Sequence, residues 1–538
     1  MTGQLYRSYI KSAQGEQSDH FDVIVIGSGT GGLSAASFLA QAGKRVLVLE
    51  QHFMLGGFTH TFQRHGYQWD VGLHYVGQVH IKGSTLNKVF RYISKDRLQW
   101  EPLDDVYDRA VFGEKEYEFP RGRENLKAKL KSYFPDEKDS LSIDRYFDLL
   151  DEVQNLGGGY YIEKVLPPWL ANIVGVFLRR STLNFSDQTT LDVLKTITDN
   201  PKLSGVLTAQ YGDYGLIPSK SSFYMHALLA NHYMEGAAYP VGGASRFAET
   251  VVPVIEETGG VALFEAAVDK IVVENNQAIG VRMQDGKMFC ADNIVSAAGI
   301  VNTYSHLMPD DVIKQHGLDK LLAELEPSMA HVGLYVGIKE ATSGLHLPKC
   351  NYWVFPDEYD HERLRAEYKD IDSEIPVTYI SFPSAKDPEA QKNHPGRTMV
   401  EAVILVPYRW FEKWKDTKLH HRGEEYNALK ERLAAKIFKD IYRVAPQLQG
   451  RIDYYEVSTP LSTQFFSAHP KGEIYGVAHT PKRFRQRFLR VHTPVKHLFL
   501  SGQDVLTASI AGGTMGGLLC ASTILKKNVL WTVKQNIR

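Results

Sequence analysis

Cysteine is scarce: Cys290, Cys350 and Cys520 are the only three in 538 residues, and none sits in a CxxC pair. That excludes a disulfide framework and a cysteine-rich metal site, and it suits a reducing compartment. Long hydrophobic runs are missing too, since no window reaches the ~20 apolar residues that span a bilayer. The polar first twenty residues hold no stretch of the length a signal peptide needs. They read as a flexible leader, so the chain is expected on the cytoplasmic side of any membrane it meets. Charge of one sign is absent: 61 basic against 62 acidic side chains leave a net charge of −1. No overall field therefore steers the chain onto nucleic acid. HExxH, GxSxG and a second GxGxxG are all lacking, and so are internal repeats and low-complexity tracts. The paired His420 and His421 lie in a charged stretch that reads as a solvated loop, so no metal site is expected. What the chain does have is 43% apolar residues, enough for two or three domains. It is also rich in aromatics at 11%, which either line an apolar ligand site or fill a core.

The first structured piece is a βαβ unit. Asp22–Ile26 is a β-branched run of the kind found in buried parallel strands. The turn Gly27-x-Gly29-x-x-Gly32 follows at once. Leu33–Gly43 then reads as a helix closed by glycine, and Arg45–Leu49 as a second strand ending on Glu50. In a dinucleotide fold the first glycine makes the tight turn, the second admits a pyrophosphate and the third lets helix pack on strand. Glu50 stands where a carboxylate accepts from a ribose hydroxyl. Further along, Asn125–Asp151 reads as charged and helical, and Ser245–Glu257 as an amphipathic helix. Two short strands follow over Val261–Val273, then strands at Gln277–Val281, Cys290–Val295 and Leu498–Ser501. Gly512–Gly517 reads as a glycine-rich turn before a final helix.

Gly56 and Gly57 mark a second close approach of backbone to ligand, which a nicotinamide site does not need. FAD proteins of the glutathione-reductase-like superfamily carry it. The chain resembles the carotenoid and retinoid oxidoreductases, the family of phytoene desaturases, carotenoid isomerases and retinol saturases, and lies nearest the saturase branch. The likeness rests on Val46–His52, Gly66–Tyr75, Ala227–Tyr233 and Tyr239–Ser245, and it is densest over 21–77, 226–299 and 472–525. It implies an α/β fold, with a Rossmann-like FAD domain and an inserted mixed α+β substrate domain. The FAD domain would comprise 21–95, 241–320 and 486–538, and the substrate domain 96–240 and 321–485. FAD would contact Gly27, Gly29, Gly31, Gly32, Glu50, Gln51, Gly56, Gly57, Thr61, Val268, Ala298, Gly299, Gly502, Asp504, Gly513, Thr514 and Met515. The implied reaction is hydride transfer between flavin and a conjugated polyene, with NAD(P)H as a transient electron donor. Saturation is expected, with desaturation or cis–trans isomerisation as alternatives on the same fold. A flavin-less lipid escort is the alternative from another class.

The proton-handling candidates are His74, Tyr75, His232 and Tyr239. His226 is weighed beside them, while Glu473 and Tyr475 read as structural. Trp169, Leu170, Ile173, Val174 and Phe177 share one helical face that Arg179 and Arg180 close. That segment reads either as a helix lying in a membrane interface, making the protein peripheral, or as a lid packed on the core. The basic run Lys482–Arg487 reads as a strand edge or as a contact for phosphate or lipid.

Overall fold

The strand before the glycine turn is the centre of an eight-stranded sheet in the computed structural model, which describes residues 7–9 and 20–537. Across that sheet run Arg7–Ser8, Val261–Phe264, Val46–Leu49, His20–Ile26, Met288–Ser296, Gln277–Met283 and Val268–Glu274. Leu498–Leu500 also pairs with Met288–Ser296. The pairings up to Met288–Ser296 are parallel, and the last two form an antiparallel meander. Val23–Val25 and Val46–Val48 are fully buried, as expected of parallel strands covered on both faces. Arg7–Ser8 corrects the reading of the whole leader as flexible. It adds a strand to the sheet edge, with Ser8 bonded to Glu265 and Tyr9 to Asp285. The rest of the leader lies outside the described residues.

Helix Thr30–Gln41 covers one face of this sheet and packs on helix Ser509–Leu525. Here the sequence reading needs a second correction, because Gly512–Gly517 is part of that closing helix rather than a turn before it. Tertiary contact overrides the low helix propensity of glycine. A Cβ on Gly516 would sit 2.4 Å from the Gly502 carbonyl oxygen, and one on Gly517 2.6 Å from that of Gly31. Only bare backbone allows so close a crossing.

The second sheet has seven strands in the order Ile452–Ser458, Ala330–Ile338, Thr398–Val406, Thr378–Ser381, Asn351–Phe355, Val106–Phe112 and Lys115–Pro120. All its pairings are antiparallel except Asn351–Phe355 on Val106–Phe112. Helix Glu424–Val444 packs against this sheet through Leu433, Ala434, Ile437 and Ile441. Val403, Leu405, Tyr379 and Trp353 line a cavity between the sheet and the glycine turn. A row of buried polar residues crosses the sheet beneath that cavity, with Glu401 opposite Ser381 and Asn351 opposite Asp108. Asn125–Asp151 resolves into two helices, Arg123–Tyr133 and Glu137–Gln154.

The glycine turn yields a stability test. A Cβ on Gly32 would lie 2.0 Å from the Gly27 carbonyl oxygen, whereas one on Gly29 meets nothing within 4 Å. Gly32→Ala should destabilise by about 1–3 kcal/mol through overpacking. Gly29→Ala should stay within roughly 0.5 kcal/mol of the parent. Denaturant melts of the flavin-free protein measure both, and equal midpoints would refute the packing argument.

Candidate active site

A cavity of about 900 Å³ opens at the ends of strands His20–Ile26 and Val46–Leu49. This is where open α/β sheets bind their ligands. Gly27, at φ +94°, turns the chain into helix Thr30–Gln41, whose N-terminus has no capping side chain. The first-turn amides of that helix are thereby left for an anion. Beside them Glu50 is held rigidly: one oxygen accepts from the Ser28 amide (2.8 Å) and hydroxyl (2.7 Å), the other from the His52 amide (2.9 Å). On the far wall Asp504 accepts from the amides of Ile300 (2.9 Å) and Val477 (3.1 Å). Helix Ser509–Leu525 also starts without a side-chain cap, and Ser509, Ile510, Ala511 and Gly513 reach the cavity. Amides for a pyrophosphate, carboxylates for hydroxyl groups and open space at Gly29 suit a dinucleotide.

Of the residues expected at the cofactor, Gly27, Gly29, Gly31, Glu50, Gln51, Gly57, Val268, Ala298, Gly299, Gly502, Asp504 and Gly513 line this cavity. Five do not. Gly32 packs against Gly27, and Gly56 donates its amide to Ser28 Oγ (3.0 Å). Thr61 pairs with Asp70 in the ribbon Thr61–Arg64/Tyr67–Asp70, and Thr514 is buried within the closing helix. Met515 faces a second cavity. The basic run is a short helix, Pro481–Arg485, and not a strand edge. Arg483 is buried, and its guanidinium donates to the carbonyls of Gln503 (2.8 Å), Asp504 (3.1 Å) and Leu506 (3.2 Å). It therefore braces the loop that presents Asp504.

The proton-handling candidates divide. His74, Tyr75 and His232 line the cavity; Tyr239 and His226 do not. Tyr239 is fully enclosed and donates to Asp70, which also accepts from the Ala244 amide (3.0 Å). His226 sits between the hydroxyls of Tyr146 (2.8 Å) and Tyr214 (3.3 Å). His232 uses Nε2 to accept from the Gly77 amide (2.9 Å), which leaves Nδ1 as its protonated nitrogen. Burial drives His74 and His232 down to about 4, with nearby Lys386 adding to the fall at His74, so both imidazoles are neutral at pH 7. Glu473 and Tyr475 line the cavity as well, beyond the structural role the sequence assigns them.

Sequence reading misses a set of buried ionisable groups beneath these residues. Glu401 lies 2.9 Å from His74 Nδ1 and accepts from the Asp70 amide (2.6 Å), and burial pushes it up to about 8. Lys386, lowered by burial to about 8, donates to Ser381 Oγ (2.7 Å), the His74 carbonyl (3.1 Å) and Asn351. Asp108 and Asp213 flank the Tyr75 hydroxyl, and Asp213 itself lines the cavity. One signal was available. Asp108 and Glu401 interrupt apolar strands, Val106–Phe112 and Thr398–Val406, at inward-facing positions.

A second cavity, about 860 Å³, shares Leu229, His232, Ser509 and Ala511 with the first. Its wall includes Gly158, Ile162, Val165 and Pro167, which lead into helix Pro168–Ser186. That helix runs past Arg180, where the sequence reading closed it, and Arg179 is buried against the Phe484 carbonyl. Leu170 and Val174 are half-buried. Trp169, Ile173, Val176 and Phe177 instead form the outer face, exposed at 66, 64, 65 and 79%. They are not packed as a core lid. No helix among the described residues is long and apolar enough to cross a membrane, and none of these residues form a cluster able to hold a metal ion.

Comparison with known proteins agrees with this geometry. The chain is 36% identical over 534 residues to the all-trans-retinol 13,14-reductase of Danio rerio, which covers 95% of this chain and 87% of that protein. It is 25% identical over 534 residues to prolycopene isomerase 2, chloroplastic, of an Oncidium hybrid cultivar, covering 95% and 84% respectively. An oxidoreductase from Methanosarcina mazei shares the fold, with a TM-score of 0.61 at 15% identity, over 94% of this chain and 100% of that one. The family model for flavin containing amine oxidoreductases matches residues 30–525. From the first residue of the glycine-turn helix to the last of the closing helix, the chain belongs to the flavin containing amine oxidoreductase family.

Proposed function

We propose that the chain binds FAD and reduces one carbon–carbon double bond of an apolar polyene, a retinoid or a carotenoid. The observation that carries this reading is the continuity of one cavity. It runs from the nucleotide cradle at Gly29 and Glu50 to a wall of Trp353, Val377, Tyr379, Val403 and Leu405. Likeness to a reductase of all-trans-retinol supports the substrate class. A bound flavin supplies hydride transfer at its N5 position. The chain's own part is to hold the pyrophosphate at the N-terminus of helix Thr30–Gln41, exclude water from an aromatic slot and keep a proton close to the reacting carbon. The uncapped start of helix Ser509–Leu525 favours negative charge on a ring placed against it. With one dinucleotide fingerprint, the electron donor is NAD(P)H visiting transiently or another protein.

The exposed face of helix Pro168–Ser186 supports peripheral binding to a lipid surface. The second cavity beside it offers an apolar path inward past His232 and Leu229. Isomerisation remains the second reading, favoured by the likeness to prolycopene isomerase.

Four outcomes test this reading. Glu50→Ala should weaken FAD binding roughly ten- to a hundred-fold, the equivalent of ~1.5–3 kcal/mol for a lost charged hydrogen bond. Gly29→Val should fold yet purify without flavin, because its side chain fills the phosphate space. Fluorescence titration of the flavin-free protein checks both, and full flavin in Gly29→Val would disprove the cradle. Anaerobic, chemically reduced enzyme given all-trans-retinol should reoxidise its flavin and release a product two hydrogens heavier; unchanged mass would mean isomerisation. Trp169→Glu with Phe177→Glu should move the protein from floating liposomes to the soluble fraction with its melting curve intact. Unaltered flotation would remove the helix from the membrane contact.

A further inference from the structure

Asp213 ends the turn Tyr211–Asp213, which lies so close to Trp353 that a Cβ on Gly212 would meet the indole at 2.4 Å. Glycine there lets the turn press Asp213 into the cavity wall. Its carboxyl lies 2.7 Å from the Tyr75 hydroxyl, which lies 3.0 Å from Asp108 on the other side. Asp108 is surrounded by groups that only donate: Asn351 Nδ2 (3.0 Å), Gln210 Nε2 (2.6 Å) and Trp353 Nε1 (3.1 Å). A proton on Asp108 would displace one of those bonds, so Asp108 is the ionised member of the pair. Tyr75 carries one proton for two carboxyls. If both were ionised, two negative charges would face each other across that one hydroxyl, with only Tyr233 as a further donor to Asp213. A proton on Asp213 removes this conflict.

We propose that Asp213 is the acid of the reaction, giving its proton to one carbon of the substrate double bond while Tyr75 and Asp108 position it. This rests on reading the chain as a double-bond reductase. The Asp213 O–H bond breaks, and the π pair of the alkene makes the new C–H bond. Bound reduced flavin would supply hydride, with its electron pair, to the neighbouring carbon. Asp213 is left ionised, and Tyr75 swings its donation from Asp108 to meet the new charge. Water restores the proton between turnovers.

The neighbouring groups agree with this assignment. Burial, and then the charge of Asp108, lift Asp213 to about 7, while bonds from Tyr75 and Tyr233 oppose the rise. The phenols that face it, Tyr75, Tyr107, Tyr233, Tyr379 and Tyr475, are pushed well above 10 by burial and release no proton near neutrality. Lys386 lies over the Tyr75 ring, 5.9 Å from its centroid. Glu401 reaches the cavity only through His74. Glu473 lies in the turn beside Asp504 and accepts from the Lys471 amide.

The test uses flavin-loaded enzyme, prereduced and mixed with all-trans-retinol across pH, together with infrared spectra of the flavin-free protein. Asp213→Asn should keep its flavin, lose the carbonyl band of a protonated buried carboxyl and slow reoxidation at least a hundred-fold. The wild-type rate should fall as pH rises through about 7, where Asp213 ionises. Asp108→Asn removes a negative neighbour and should shift that fall to lower pH. Tyr75→Phe removes a donor to the ionised form and should shift it higher. These opposite movements are what a merely structural role does not produce, and they remain readable if Asp213→Asn fails to fold. Wild-type reoxidation by Asp213→Asn, an unmoved pH limb in both other variants, or loss of turnover only in Glu401→Gln would overturn the proposal. If wild-type enzyme converts no polyene, the functional reading fails. In that case persistence of the infrared band in Asp213→Asn overturns the placement of the proton as well.

Discussion

Two helices from opposite ends of the chain touch backbone to backbone, and the site exists because they do. Thr30–Gln41 and Ser509–Leu525 cross at glycines, with Gly513 against Gly31 and Gly517 against the Gly31 carbonyl. Ordinary helix pairs stand 8–10 Å apart on their side chains. Closer approach brings both uncapped N-termini to the same cavity. It also brings the loop bearing Asp504 opposite Glu50. The four glycines of the closing helix weaken it as an isolated helix, and the packing they permit offsets that loss.

The second sheet contributes the opposite kind of feature, one that stability alone would not select. Asp70, Asp108, Lys386 and Glu401 are withdrawn from water, Asp213 lies half-buried beside them, and burial shifts each toward its neutral form. Replacing such groups with apolar residues is often neutral or stabilising in other proteins. Here they cluster beneath the aromatic wall of the cavity, with Tyr75 joining Asp108 to Asp213 and Asn351 joining Asp108 to Lys386. A polar network placed against an aromatic slot is a local conflict of the kind that marks functional sites.

How much of this is legible in the sequence depends on whether the signal is local. Val23–Ile26, the glycine turn and Glu50 are contiguous, and each follows from periodicity and spacing. The parallel strands and the amphipathic helix Arg246–Glu256 follow in the same way. The helical state of Gly512–Gly517 does not, because it depends on a partner helix almost five hundred residues away. Asp213 is equally silent: nothing in Tyr-Gly-Asp-Tyr-Gly shows that Tyr75 and Asp108 meet it. Thr61 and Tyr239 show the converse error. Both lie in stretches shared with the family, yet they serve a buried ribbon and its carboxyl rather than the cavity.

The crossing of helices Thr30–Gln41 and Ser509–Leu525 also sets an order of events during synthesis. The strand, turn and acid of the dinucleotide fingerprint leave the ribosome within the first fifty residues, but the opposite wall of their cavity spans Gly502–Gly513. At about 5–20 residues per second the half-made cradle waits on the order of a minute for its other half. Through that interval Val23–Ile26 and the apolar face of Thr30–Gln41 have no final cover, and a nucleotide bound there is open to solvent on one side. The cavity is therefore enclosed only among the last steps of maturation. A chain that stops short of its closing helix retains the fingerprint but not the enclosure.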